Sequence, residues 1–398
     1  MSTVSERSDV TIASVRATPV NIPLEAPYMW SAGLFPGFTR TIIEVEASNG
    51  AVGIGEAGNH RAARLIEDEL APALLGADPY NLAACERRCL PPVRVAMNTE
   101  DDSLLRAYGG IETALWDLIG KLEDRPLASL LGGAIRTEIP FSEYFAFRVP
   151  TNGIGETTPT EVAAYCARMI EQHDARSLEG KVGVNDLATE VTLVREIRAA
   201  VGPDIPLRLD ANMAWPLAVA REALHRLEPF EVRSIEEPVA TLEEQARLRA
   251  STSIAFSSHE PAIEKVPYLG VPDAFVLNLT ALGGIRKALA FAAACEAFGV
   301  DVWAYSPDTG VGTAAFLHVA AATESIGQPS QTLLRWHTDD VIEGGPMQVE
   351  QGVLTLPPGP GLGVTLDRDA LARCHARFVD DGPYDHYLDP TRTHRYRR

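Results

Sequence analysis

Strands that end on acids recur in this chain at a nearly constant spacing, and that recurrence limits the folds open to it. Leu207-Arg208-Leu209-Asp210-Ala211-Asn212 alternates as a strand and ends on an acid, and Ser234-Ile235-Glu236-Glu237-Pro238 does the same. Ile254-Ala255-Phe256-Ser257-Ser258-His259-Glu260 repeats the pattern. Asp210 to Glu236 is 26 residues and Glu236 to Glu260 is 24, each the length of one strand, one helix and two loops. A parallel barrel sets the C-terminal ends of neighbouring strands side by side, where active sites form. One such acid is commonly a helix cap; three at the period of a βα unit point to convergence. Unpaired, they would repel and raise one another's pKa. A hard divalent cation with oxygen ligands, usually Mg²⁺, removes that penalty. Asp210, Glu236 and Glu260 are therefore the candidate metal ligands.

The flanking sequence extends the pattern. Strand candidates are 139–144, 176–181, 206–210, 232–236, 254–257, 274–277, 300–304 and 331–334, with helices between them over 159–173, 186–200, 216–227 and 284–297. Eight strands alternating with helices suit a closed parallel barrel. No Gly-x-Gly-x-x-Gly follows the first strand, and no phosphate-loop signature occurs. A length of 398 residues accommodates a barrel of about 250 residues and a second domain. The predicted boundaries are an N-terminal α+β capping domain over 1–133, a barrel over 134–368, and a C-terminal segment over 369–398 that packs back on the cap. Within the cap, Val10–Ile22 and Thr41–Ala47 alternate as strands and Ser48-Asn49-Gly50 is a hairpin turn signal. Tyr28–Arg40 reads as a long aromatic and glycine-bearing loop placed as a lid over a site. Residues 62–131 carry a helical pattern.

Net charge is −19, which argues against nucleic acid or an anionic membrane surface as partner. The cysteines, Cys85, Cys89, Cys166, Cys295 and Cys374, are odd in number and scattered. They read as reduced thiols in a cytoplasmic protein rather than as a zinc site. The first ten residues have no apolar core for a signal peptide, and no apolar run reaches membrane-spanning length.

Together these motifs resemble the enolase superfamily, and within it the mandelate racemase subgroup and its glucarate dehydratase-like branch. The resemblance rests on Phe38-Thr39-Arg40, a Gly53-Ile54-Gly55-Glu56 turn, and an Ile111–Leu131 helix stopped by Gly132-Gly133. It continues through the three acid-ended strands and Pro360-Gly361-Leu362-Gly363-Val364. It implies a (β/α)₇β barrel under an α+β cap, and Asp210, Glu236 and Glu260 match the family's Mg²⁺ ligands. In this family a base removes the proton α to a carboxylate and Mg²⁺ stabilises the enediolate. The second-strand Lys-x-Lys motif reads Glu179-Gly180-Lys181 here, so Lys181 keeps the base position and Glu179 replaces the first lysine, an exchange expected to raise the Lys181 pKa. Where the subgroup places a His–Asp dyad, this chain has Tyr305 and Asn278.

A racemase needs an acid/base on each face of the α-carbon, so the missing dyad favours one-base chemistry. The expected activity is a lyase, a dehydratase of an aldonate or aldarate. In it Lys181 is the base and Tyr305, His259 and Asp308 compete as the acid that helps the β-hydroxyl leave. Arg40, Asn212, Glu179 and Asn278 are expected around the substrate, and His318 is expected to pack in a helix. Racemisation or cycloisomerisation of a non-sugar carboxylate, and a silent carboxylate-binding relative, are the alternatives. The expected partners are a small carboxylate and further copies of the chain.

Overall fold

The computed structural model describes residues 10–91, 102–306, 308–384 and 396. Part of the predicted helical pattern (92–101), Pro307 and nearly all of the tail after 384 lie outside them.

Three antiparallel strands, β1 (Ile12–Trp30), β2 (Gly33–Ala47) and β3 (Val52–Ala57), form the N-terminal sheet in the order β1-β2-β3. The helix Ser103–Leu122 packs on β3 at backbone distance. A side chain at Gly53 or Gly55 would put its first carbon 2.1 Å from the Ala114 carbonyl or 2.2 Å from that of Gly110. The predicted Gly53–Glu56 turn is thus a strand, its glycines serving close helix–strand packing. The predicted helix over 111–131 stops at Leu122, before Pro126, and Leu127–Leu130 is a separate short turn of helix.

The segment Tyr28–Arg40 is a hairpin, not a loop. Trp30 pairs with Gly33 and Tyr28 with Phe35, after a register shift between Pro23 and Tyr28. Its aromatics hold it: Phe35 lies 5.5 Å from Tyr28 and 4.7 Å from Phe38, ring centre to ring centre. At the tip, Ser31 Oγ donates to the Asn212 carbonyl, so the hairpin is docked on the mouth of the second layer.

That layer is the barrel. Eight parallel strands follow in sequence: β4 (Glu138–Phe145), β5 (Leu178–Lys181), β6 (Leu207–Asp210), β7 (Ser234–Glu236), β8 (Ala255–Ser258), β9 (Ala274–Leu277), β10 (Asp301–Ser306) and β11 (Ser330–Thr332). β11 returns to pair with β4 and closes the barrel. β12 (Val353–Thr355) runs antiparallel beside β4. Helices Pro159–His173, Leu187–Val201, Leu217–Leu227 and Ile285–Phe298 cover the outside. Leu207 and Leu209, both fully buried, face those helices, which leaves Arg208 and Asp210 to point inward. The helix Arg368–Asp381 lies back on β1, where Arg377 donates to the Asn21 carbonyl and His375 lies 2.7 Å from that of Pro19. Among the described residues no helix is long and apolar enough to cross a membrane, and the five cysteines are free thiols. His318 is fully buried, its Nδ1 accepting from the Ala128 amide.

Candidate active site

Strand register sets the site. At the C-terminal ends, Lys181 lies beside Asp210, Asp210 beside Glu236, and Glu236 beside Ser257. Lys181, Asp210 and Glu236 are all buried. The Lys181 ammonium is ion-paired with Asp210 Oδ2, and Asp210 Oδ1 accepts from the Asn212 amide at 2.9 Å. Asn212, Met213 and Glu237 adopt positive φ of 43°, 58° and 43°, a strained backbone of the kind concentrated at functional sites.

One layer deeper the same strands carry a different set. Glu179 Oε2 is 2.7 Å from Arg208, whose guanidinium lies over the Trp303 ring at 4.4 Å. Gln331 Nε2 donates to Glu179 Oε1 at 2.6 Å and also to Glu236 Oε2. The expectation that Glu179 contacts substrate is therefore corrected. It faces inward like Lys181, two residues earlier, and so lies in the barrel floor with its charge taken up by Arg208. Sequence reasoning passed over Arg208 and Gln331, although the Leu207–Asp210 alternation already put Arg208 on the inner face.

Electrostatics follow from burial. Desolvation, and after it the Glu236 charge, push Asp210 up to about 7. Burial would raise Glu236 too, but His259 and then Lys181 hold it below its ordinary value. Burial opposes the Lys181 charge, yet Asp210 outweighs it and the pKa rises well above that of a free lysine. The expected rise is present, with Asp210 as its main source.

A cavity of about 460 Å³ separates this floor from the cap, within the range of small-molecule sites, roughly 300–1,000 Å³. Lys181, Asp210, Asn212, His259, Asn278, Tyr305 and Asp308 line it from the barrel. Tyr28, Trp30, Phe35 and Arg40 line it from the hairpin and strand β2, and Arg61 and Arg106, both exposed, line it from the cap. The two outer arginines escaped the sequence reading because neither belongs to a motif. Burial first, opposed by Lys181 and Arg40, pushes the Tyr305 phenol up to about 12, so it keeps its proton at neutral pH. Arg40 is engaged within the protein: Nε lies 3.3 Å from both Glu56 and Asp308, and Nη1 donates to the Thr39 and Gly58 carbonyls. Burial raises Asp308 against the pull of that arginine.

Glu260 is not brought to the two inner acids. Ser257 is level with Glu236, so side chains at Ser257 and His259 share the inward phase while Glu260 falls on the other. Glu260 Oε1 pairs with Lys265 at 2.8 Å, its side chain 42% exposed. His259 Nε2 instead lies 2.9 Å from Glu236 Oε1. Among the described residues no three acidic, histidine or cysteine side chains are already gathered as a cation-binding set. The donors at the Asp210–Glu236 pair nevertheless fit a divalent cation: two adjacent buried carboxylates at the ends of β6 and β7.

Family models match both layers. The "Enolase C-terminal domain-like" model covers residues 161–370, and the "Mandelate racemase / muconate lactonizing enzyme, N-terminal domain" model covers 12–132. This chain belongs to the enolase superfamily. Mg²⁺ is the characteristic cofactor of that superfamily, and relatives have been solved with it bound. One is an enolase from Pseudomonas fluorescens Pf0-1 with bound magnesium, potassium and tartrate. It superposes with a TM-score of 0.86 at 27% identity, over 95% of each chain. A probable glucarate dehydratase of Streptomyces coelicolor is 27% identical over 94% of this chain and 93% of its own length. A chloromuconate cycloisomerase of Pseudomonas sp. strain P51 is 30% identical over 90% of this chain and 98% of its own. The superfamily relatives are enzymes, and at this distance they divide among dehydratases, cycloisomerases and racemases.

Proposed function

We propose that this enolase-superfamily member is a dehydratase of an acid sugar, a lyase that removes the proton α to a carboxylate and eliminates the β-hydroxyl. The observation that carries this reading is that one cavity is lined by a single lysine, Lys181, and by a phenol, Tyr305, that stays protonated at neutral pH. Asn278 at the end of β9 offers no second base. A base on one face and an acid held ready for a leaving hydroxyl suit elimination; racemisation needs a second base.

Asp210 and Glu236 would hold the metal, which when bound supplies Lewis-acid charge to the substrate carboxylate. A lysine can act as a base only after it loses its proton, and the Asp210 charge opposes that loss. With Asp210 engaged in holding a metal, its charge would no longer oppose that loss, and Lys181 would give up its proton more readily. Lys181 then accepts the α-proton, and Tyr305 donates to the departing hydroxyl. Asn212 and Asn278 line the same cavity as contacts for hydroxyls, and Asp308, held by Arg40, lines it beside them. Arg61 and Arg106 at the outer end suit a second carboxylate, which favours aldarates over aldonates. Free thiols and a negative net charge support a cytoplasmic enzyme, and the family supports a homo-oligomer.

The test is a product assay with Mg²⁺ on a panel of aldarates and aldonates. Formation of a 2-keto-3-deoxy acid from a panel member supports the reading. Turnover of a muconate-type diacid to a lactone, with no sugar acid consumed, would replace it by cycloisomerisation, the chemistry of the relative at 30% identity.

A further inference from the structure

Where the cap meets the barrel, two carboxylates share one guanidinium. Glu56, near the end of β3, is buried, and Asp308 follows β10 with its side chain 18% exposed. Arg40 Nε lies 3.3 Å from each, and Glu56 also hydrogen-bonds to Asp308 directly. Gly312 shows how close the two acids are. A side chain there would put its first carbon 2.7 Å from Asp308 Cβ and 3.1 Å from Glu56 Oε2. Oε2 already accepts from the Thr309 amide at 3.1 Å, the Gly312 amide at 3.2 Å and the Thr309 hydroxyl. These donors open the helix Gly310–Ala322. Asp340 accepts from the Gly310 amide of the same helix at 2.9 Å and adds negative charge near Glu56. His337, whose ring feels Arg40, stays neutral. One cation thus serves two carboxylates with a third close by. Carboxylates in contact do not both ionise readily, and a hydrogen bond between them needs a proton. Burial, and then the Asp308 charge, push Glu56 up to about 8.

Asp308 connects this pair to the chemistry. It lines the main cavity with Tyr305. A second cavity of about 20 Å³, enough for a single water molecule, is lined by Glu56, Asp308, Asn278 and Thr280. After burial and Lys181, Arg40 and then Asp308 act on the Tyr305 phenol. We propose that Glu56 and Asp308 hold one proton between them, and that Asp308 delivers it to the cavity to replace the proton Tyr305 gives up. The step balances. The β C–O bond breaks, its oxygen takes the Tyr305 proton and leaves as water, and the phenolate takes the proton of the pair. Both carboxylates are then ionised against Arg40, until solvent returns a proton to them and Lys181 releases the α-proton to solvent. The shared proton is independent of the reaction, whereas its use rests on the dehydratase reading.

The test reads protonation and turnover separately, on the full chain with Mg²⁺. Infrared difference spectra at pH 7, wild type minus Asp308→Asn and wild type minus Glu56→Gln, should each show one protonated-carboxyl band that shifts in D₂O, with no carboxylate lost. Asp308→Asn is the gentler change, because Glu56 holds the start of a helix. A carboxylate lost in both variants, with the acid band unchanged, would overturn the shared proton. In turnover, Asp308→Asn should slow elimination by about 10²-fold, the low end for a positioned proton donor, while α-proton exchange persists. The wild-type rate should fall as pH rises through about 8, where Glu56 ionises, and Asp308→Asn should lose that fall, which a merely structural role would not cause. Tyr305→Phe combined with Asp308→Asn should be no slower than Tyr305→Phe alone, because both act in one relay. Losses that multiply in the double variant, or an alkaline fall kept in Asp308→Asn, would overturn the delivery. If the acid band is present but no acid sugar is dehydrated, the shared proton stands and the dehydratase reading fails.

Discussion

Two layers of the barrel lie two residues apart on the same strands and solve the same electrostatic problem in opposite ways. In the floor, Glu179 is matched by Arg208, bridged by Gln331 and covered by Trp303. In the mouth, Asp210 is paired with Lys181 and Glu236 with His259, and Lys181, Asp210 and His259 line the cavity. Burying an ion pair is tolerable when the geometry is complete, and leaving a charge buried and unmatched costs several kcal/mol. The floor is therefore built for stability. The mouth opens its pairs onto the cavity, where a cation and a substrate can reach them.

That contrast can be broken from either side. The largest effect is expected at Lys181. Lys181→Ala should lower kcat on any turned-over acid sugar by about 10³-fold, within the range for a lost general base, while Mn²⁺ affinity is kept or improved because a competing cation is gone. Steady-state kinetics and metal titration check both. In the floor, Arg208→Met should instead lower stability by about 3–5 kcal/mol, because it leaves Glu179 buried without its partner. Arg208→Met with Glu179→Met should recover most of that loss in denaturant unfolding, and a double variant no better than the single would end the distinction. Tyr305→Phe sharpens the division of labour within the mouth. It should slow elimination by about 10²-fold while α-proton exchange persists, as NMR in D₂O can follow.

The smallest effect comes from a group in neither layer. Burial, and then Arg40, push His337 down to about 3, and it lies against Phe38 at 5.6 Å. Its folded pKa is depressed below the ordinary value near 6.5, so the unfolded chain binds the proton first as pH falls. Stability is then fully present above pH 6.5 and lost progressively below it, by roughly 1 kcal/mol between pH 7 and 5.5. His337→Phe should flatten that part of the pH–stability curve.

How much of this was legible in the sequence depended on whether a residue announced itself by period. Asp210 and Glu236 did, because each closes a strand one βα unit after the last. Lys181 was found through its motif. Glu260 was grouped with them because spacing counts residues but not the phase of the chain beyond a strand end, and its side chain turns out to Lys265. Arg208 and Gln331 stayed hidden because their meaning is mutual: neither explains itself until the barrel closes and sets β11 beside β4 and β10. The Tyr28–Arg40 hairpin was read as a loop because the register shift between Pro23 and Tyr28 interrupts the alternation that marks a strand. Pro36, Gly33 and Gly37 within it read as breakers.

The most direct test of the central claim, that Lys181 is the single base of a mouth open to metal and substrate, is α-proton exchange in D₂O. Mg²⁺-loaded wild type and Lys181→Ala would be compared by ¹H NMR on an aldarate substrate. The account predicts deuterium entering at the α-carbon-derived position or loss of the α-proton signal as keto acid forms, in the wild type and not in the variant. Undiminished exchange in Lys181→Ala would contradict it and move the base to another residue of the same cavity.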